Sequence, residues 1–195
     1  MKNLWRGNTF SPAMLKKIID KLENNKLCIA GDGTVRDQLG SYAWCMATKG
    51  EEVPFITAHG PVDGHRHHMR ALRAESTHVL ASIALITRLE KFVTKSDIQV
   101  QVYTDCKTLI NRVMTDNINS PSLVLADHVD LVHQIRNVIK NSDINFELEY
   151  TQTIKNDDFD MATWNEKLVQ SMHVNAYIYF TTKEAITPRK YSDCL

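Results

Sequence analysis

One short stretch constrains the fold of this chain more than any other, the sequence Leu-Cys-Ile-Ala-Gly-Asp-Gly-Thr at positions 27–34. Its first four residues are apolar or small and a glycine ends the run, a pattern that favours a buried strand over a helix. Asp32 follows between Gly31 and Gly33, which leave room for another backbone, a metal ion or a phosphate. We therefore expect the strand to deliver Asp32 at its end, where a buried carboxylate needs a cation or a hydrogen-bond donor. The alternative is an ordinary turn residue after a core strand.

The composition allows one globular domain and provides no general attraction to nucleic acid. A hydrophobic content of 43% and a charged content of 24% are ordinary for a globular protein. The length of 195 residues suits a single domain with one substantial core. The 23 Lys and Arg residues balance the 23 Asp and Glu residues, so any binding of nucleic acid must depend on a local patch or on metal ions.

The cysteines and the apolar runs predict a soluble intracellular protein of the cytoplasm or nucleus, with no membrane partner, and we also expect a monomer. The four cysteines are far apart and form neither a disulfide framework nor a zinc motif. Cys28 and Cys45 lie in apolar runs and are expected to be core thiols. Residues 1–11 lack the apolar segment of a signal peptide, and the apolar runs are too short to span a bilayer.

Alternating apolar runs and turn residues predict an α/β fold with a mixed five-stranded sheet flanked by helices. The first three strands should form an antiparallel meander joined by short loops, and parallel strands should follow. We divide the chain into a helical extension (1–26), one domain (27–180) and an irregular tail (181–195). The predicted strands are 27–30, 41–48, 53–59, 98–103 and 145–150, and the predicted helices are 12–23, 69–92, 106–114, 123–140 and 162–180.

Three carboxylates occupy comparable places in this predicted arrangement. Asp32 ends the first strand, Asp105 follows the fourth, and Glu75 lies near the start of the long helix between them. If the first and fourth strands are neighbours, a right-handed crossover brings all three to one spot. Three clustered carboxylates repel one another unless a divalent cation lies between them. Oxygen-only ligands favour Mg²⁺ or Mn²⁺.

The segments that carry these carboxylates resemble those of a known family. Asp-Gly-Thr at 32–34 after a strand, Arg-Ala-Glu at 73–75 on a long helix and Tyr-Thr-Asp at 103–105 after a later strand are similar to type 1 ribonuclease H domains of retroelement (retrotransposon) reverse-transcriptase polyproteins. The resemblance covers about residues 27–180 and implies a ribonuclease H-like fold. It also implies a hydrolase, a metal-dependent endonuclease that cleaves the RNA strand of RNA–DNA hybrids, within a polyprotein or reverse-transcriptase context.

The resemblance also implies roles for individual residues. Asp32, Glu75 and Asp105 become the catalytic and metal-binding residues for two Mg²⁺ or Mn²⁺ ions, with Asp32 bridging both ions and the other two holding the ion at the leaving group. Thr34 and the backbone of Gly33 become substrate-binding, close to the 2′-hydroxyls that distinguish RNA from DNA.

The sequence departs from the family pattern at the residues that help to hold the second metal ion. The family usually has a histidine in the loop after the fifth strand and a fourth acid on the last helix, but loop 151–158 has no histidine. The last helix reads His-Val-Asn-Ala-Tyr at 173–177, which puts Tyr177 where the acid is expected. The acids that offer a substitute ligand are Asp157, Asp158 and Asp160. A poorly held second ion predicts slow hydrolysis. The alternative function is therefore a catalytically inactive domain that binds nucleic acid or a protein partner.

The loop before the long helix offers a second possible metal site. Four histidines (His59, His65, His67 and His68) crowd this region, which makes a zinc site an alternative, although zinc sites need ligands at fixed spacing. We expect a solvated loop. In the geometry that the resemblance implies, this loop lies beside the active site, so Arg66, Arg70 and Arg73 are candidates for contacting phosphates.

Overall fold

The computed structural model describes residues 9–115, 128–152, 166–173 and 175–176. The elements in chain order are α1 (Pro12–Glu23), β1 (Leu27–Arg36), β2 (Leu39–Thr48), β3 (Ile56–Pro61), α2 (Ala71–Leu89), β4 (Gln99–Thr104), α3 (Lys107–Met114), α4 (Val129–Lys140) and β5 (Asn145–Tyr150). Residues 166–173 and 175–176 are also helical, and we call them the C-terminal helix. Single 3-10 turns lie at Arg66–His68 and Glu90–Phe92.

The five strands form one mixed sheet in the order β3-β2-β1-β4-β5. The pairs β1–β2 and β2–β3 are antiparallel, and the pairs β1–β4 and β4–β5 are parallel. This arrangement confirms the predicted α/β class, the meander and the pairing of the first strand with the fourth. Strand β1 lies at the centre of the sheet, so whatever it carries is surrounded by other elements.

Strand β1 is longer than expected, and the expectation that Asp32 ends it is wrong. The strand continues to Arg36 because β1 and β2 form a hairpin, in which Asp32 is paired with Ala43. On the other side, the pairing of β1 with β4 stops at Ala30 and Tyr103. Asp32 therefore lies inside β1 but just beyond the end of the parallel pair, where β4 no longer covers that side of β1.

Several predicted boundaries shift for local reasons. The third strand begins at Ile56 instead of residue 53, because Pro54 cannot donate a ladder hydrogen bond and Val53 is exposed. The long helix begins at Ala71, since Arg70 has an extended backbone, and it ends in the 3-10 turn after Leu89. The fourth strand and the short helix after it each begin one residue later than expected, and the fifth strand has the expected bounds. Residues 123–127 of the next predicted helix lie outside the described residues, and its described part is helical over Val129–Lys140.

The main core lies between the sheet and the helices α1 and α2. Ile83 on α2 and Trp44 on β2 are fully buried there, as are Ile18 and Leu22 on α1. Helix α1, which was assigned to an extension, thus contributes to the core of the sheet. The proposed domain boundaries stay a prediction, and residues 181–195 lie outside the described part of the chain.

A second, smaller cluster covers the opposite face of β1 and β2. Cys28 and Cys45 pack there against Leu168 and Met172 of the C-terminal helix. Both thiols are free and buried, as expected for core cysteines, and burial raises the pKa of Cys28 to about 12. This packing holds the C-terminal helix against the centre of the sheet. In the described part of the chain, every helix falls short of the length and apolar character that crossing a membrane requires.

The position of α1 in the core predicts a large effect of Leu22→Ala. The substitution should lower the free energy of unfolding by about 2–5 kcal/mol, because a fully buried side chain leaves a cavity. The matched control is Lys16→Ala on the exposed face of α1, which should change it by less than about 0.5 kcal/mol. Urea unfolding of both variants provides the measurement. Equal, small effects would show that α1 is not part of the cooperative unit.

Candidate metal centre

The structure brings the three predicted carboxylates together at the sheet. Asp32 lies on β1, Glu75 in the second turn of α2, and Asp105 directly after β4. One oxygen from each lies within 4.8 Å of the others. The placement agrees with the arrangement expected from the sequence, while the catalytic and metal-binding roles of the three residues stay a prediction.

Burial makes full ionisation of this carboxylate cluster energetically unfavourable. Asp32 and Glu75 are only 3% and 6% exposed, and Asp105 is half-buried. Burial and the neighbouring charge of Asp32 raise the pKa of Glu75 well above its usual range. Burial also raises the pKa of Asp32, but hydrogen bonds with His173 and Glu75 outweigh that effect and leave it lowered. The two neighbouring carboxylates are therefore shifted in opposite directions, with ionisation disfavoured at Glu75 and favoured at Asp32.

Backbone and side-chain donors fix the directions of the carboxylate oxygens. The amide of Gly33 donates to Oδ1 of Asp32 at 2.6 Å and to Oε1 of Glu75 at 3.1 Å. The hydroxyl of Thr104 donates to Oε2 of Glu75 at 3.2 Å. These bonds leave little freedom for either carboxylate to turn away from the cluster. Thr34 lies two residues beyond Asp32, on the same side of the strand, and is half-buried.

Gly33 allows the close approach of α2 to β1 on which this geometry depends. A Cβ atom at Gly33 would lie 2.5 Å from the carbonyl carbon of Ala74. Any other residue would therefore push α2, and Glu75 with it, away from Asp32. The predicted contacts of Gly33 and Thr34 with a substrate are not tested by this geometry and stay a prediction.

His78 is a residue of the site that the sequence analysis missed. It is fully buried, and its Nε2 lies 3.1 Å from Oε2 of Glu75. Burial lowers the pKa of His78 to about 4, so the ring is neutral near pH 7 and Nε2–H can donate to Glu75. Nδ1 has no hydrogen-bond partner among the described residues. The sequence feature that could have pointed to this residue is Gly31. A glycine there makes room for the ring, because a Cβ atom at that position would lie 2.8 Å from Cγ of His78.

His173 is the second residue of the site that the sequence did not reveal. Its Nδ1 lies 2.6 Å from Oδ2 of Asp32, and its side chain is 47% exposed. The hydrogen bond to Asp32 raises the pKa of His173, with burial opposing and the charges of Asp32 and Asp105 supporting the shift. The C-terminal helix positions it, since Met172 is buried against the sheet and Ser41 donates a hydrogen bond to the carbonyl of Ala176 at 2.9 Å.

The substitutes proposed for the fourth acid, Asp157, Asp158 and Asp160, and the position of Tyr177 lie outside the described residues. The loop histidines His65, His67 and His68 are exposed, as expected for a solvated loop. Where the structure is described, the group that brings three metal-ligand side chains together is the carboxylate cluster.

Arg73, one of the three candidate phosphate contacts, makes structural contacts within the protein, and its contact with phosphate stays a prediction. Its guanidinium pairs with Asp130 of α4 at 3.2 Å and donates to the carbonyl of Asp63 at 2.8 Å. The side chain is largely buried by these contacts. Arg73 therefore ties α2 to α4 and to the preceding loop.

Comparison with known proteins finds similarity at the level of structure. No protein-family model and no curated protein matches the sequence. A protease–reverse transcriptase of prototype foamy virus aligns over 77% of this chain and 20% of its own, with a TM-score of 0.50 and 15% identity. The fold is ribonuclease H-like.

Two ribonuclease H1 structures also match this ribonuclease H-like chain. The enzyme of the archaeon Halobacterium salinarum aligns over 65% of this chain and 85% of its own, with 12% identity and a TM-score of 0.45. An LC11 ribonuclease H1 in complex with an RNA/DNA hybrid aligns over 64% and 86%, with 9% identity and a TM-score of 0.46. The chain spans one fifth of the viral protein and most of the length of these two enzymes.

The contact between Gly31 and His78 predicts that Gly31→Ala destabilises the protein. The added methyl group would overlap the buried ring, so the free energy of unfolding should fall by about 1–3 kcal/mol. His78→Ala removes the ring and should relieve the overlap, so the double variant should lose less stability than the sum of the two single variants. Chemical unfolding of all four proteins measures this coupling. Strictly additive effects would contradict the contact.

Proposed function

We propose that the protein is a metal-dependent endonuclease that cleaves the RNA strand of RNA–DNA hybrids. The observation that carries the proposal is the meeting of Asp32, Glu75 and Asp105 within 4.8 Å on a ribonuclease H-like sheet. Two of these carboxylates are almost fully buried, which is a costly arrangement for a purely structural cluster.

The donor set fits a hard divalent cation. Carboxylate oxygens are the ligands that Mg²⁺ and Mn²⁺ prefer, and the charge of such an ion would offset the burial and the repulsion that raise the pKa of Glu75. When bound, such ions polarise a phosphate oxygen and lower the pKa of a bound water. Asp32, Glu75 and Asp105 are the residues that would hold them.

The protein's own groups orient the cluster. The amide of Gly33 positions Asp32 and Glu75 at once, and Thr104 and His78 fix the second oxygen of Glu75. We infer that Thr34, half-buried and two residues beyond Asp32, contacts the 2′-hydroxyl of the RNA strand. Because Asp32 and Glu75 are held from several directions, little reorganisation is needed when a substrate phosphate arrives.

A reverse-transcriptase polyprotein is part of the same proposal. The foamy virus chain that this protein resembles is a protease–reverse transcriptase, and the similarity covers one fifth of it. The chain itself has a formal net charge of zero, so binding of a hybrid would depend on the metal site and on nearby cations rather than on overall charge.

The proposal predicts that Asp105→Asn abolishes Mg²⁺-dependent cleavage of a labelled RNA–DNA hybrid. Losing a group that only orients a ligand typically costs about 10–100-fold, so losing a ligand should cost more than about 100-fold. Asp20→Asn, an exposed carboxylate on α1, is the matched control and should keep the parental rate. Parental cleavage by Asp105→Asn would refute the assigned role. Hybrid binding without cleavage by the parent, in both Mg²⁺ and Mn²⁺, would favour the inactive binding domain.

The proposal also predicts how Asp105→Asn changes thermal stability. Without divalent ions, Asp105→Asn should unfold at or above the parental midpoint, because it removes one of three mutually repelling carboxylates. With saturating Mg²⁺ the midpoint of the parent should rise by mass action, and that of the variant should change little. Thermal denaturation with and without Mg²⁺ measures both effects. An equal Mg²⁺ shift in both proteins would place the ion elsewhere.

A further inference from the structure

Asp32 presents its two oxygens to two different neighbourhoods. Oδ1 accepts the amide hydrogen of Gly33, which also binds Oε1 of Glu75, so this oxygen faces the carboxylate cluster. Oδ2 lies 2.6 Å from Nδ1 of His173. An ion that reaches Oδ2 must therefore either displace the imidazole or bind to it.

The position of His173 is set by the fold. Leu168 and Met172, on the preceding turns of the C-terminal helix, are fully buried in the cluster that contains Cys28 and Cys45. The imidazole is thus carried by a helix that is packed onto the same strands as Asp32. Its side chain is 47% exposed while that of Asp32 is 4% exposed, so His173 lies between the buried carboxylate and solvent.

We propose that His173 is a metal ligand which, with Oδ2 of Asp32, forms a mixed nitrogen–oxygen subsite that favours Mn²⁺ over Mg²⁺. Imidazole nitrogen suits transition metals, and Mg²⁺ prefers oxygen and retains its water. His173 thereby supplies a protein ligand next to Oδ2 of Asp32. The inference rests on the proposed function, since it assumes that Asp32 binds metal.

Nitrogen ligation can be observed directly in the Mn²⁺-loaded protein. Pulsed electron paramagnetic resonance should detect coupling between Mn²⁺ and a coordinated ¹⁴N in the parent, and His173→Ala should abolish it. His68→Ala, which removes an exposed histidine of the loop before α2, should leave the coupling unchanged. Coupling that is absent from the parent, or that persists in His173→Ala, would overturn the proposal.

Metal selectivity provides an independent readout. His173→Asp replaces the nitrogen with oxygen, so the ratio of Mn²⁺ to Mg²⁺ affinity should fall by about 10-fold or more, the scale on which partners of a metal site change affinity. Isothermal titration of the parent and the variant measures this ratio, and circular dichroism checks that both are folded. An unchanged ratio would show that His173 only orients Asp32 through a hydrogen bond.

The outcomes separate this inference from the proposed function. Mn²⁺ binding that depends on Asp105 but shows no nitrogen coupling would overturn the role of His173 and leave the carboxylate site intact. Absence of any Mn²⁺ binding by the parent would overturn both.

Discussion

The structure depends on the direct packing of helix α2 onto strand β1. Gly33 permits it, because a side chain there would overlap the backbone of Ala74, and Gly31 makes room for the buried ring of His78. This packing places a carboxylate on the helix next to a carboxylate on the strand. The main core, built on the same sheet and the same helix, provides the rigidity that keeps the two groups together.

The packing of α2 onto β1 has an electrostatic cost, because it buries two carboxylates next to each other. Glu75 and Asp32 are buried side by side, and burial together with the charge of Asp32 raises the pKa of Glu75 above its usual range. Donors from Gly33, Thr104 and His78 hold the oxygens of Glu75 in place. Such an arrangement is typical of a site maintained for binding or catalysis rather than for stability.

Much of the fold and the cluster could be predicted because the relevant signals are local. The strand at Asn145–Tyr150 and the apolar stripe of α2 follow from periodicity. The cluster followed from one topological step, a helix crossing between neighbouring strands, which fixes where Glu75 lies relative to Asp32. Once the strand ends and helix starts are recognised in the sequence, the topology predicts which residues at those positions lie close together.

The remaining features depend on contacts that a sequence pattern does not encode. The length of β1 is set by its hairpin with β2, and an apolar run cannot show how far a partner strand extends. His173 meets Asp32 across 141 residues, through the packing of a helix whose place on the sheet is fixed by buried side chains such as Met172. His78 lies on the apolar side of α2, where a histidine is easily interpreted as part of the core.

The central claim is that Asp32, Glu75 and Asp105 form one pocket for a divalent cation. Anomalous diffraction from crystals soaked in Mn²⁺ tests it most directly. The account predicts a manganese peak in contact with an oxygen of each of the three side chains. A peak elsewhere, or none at this cluster in crystals that diffract well after soaking, would contradict it.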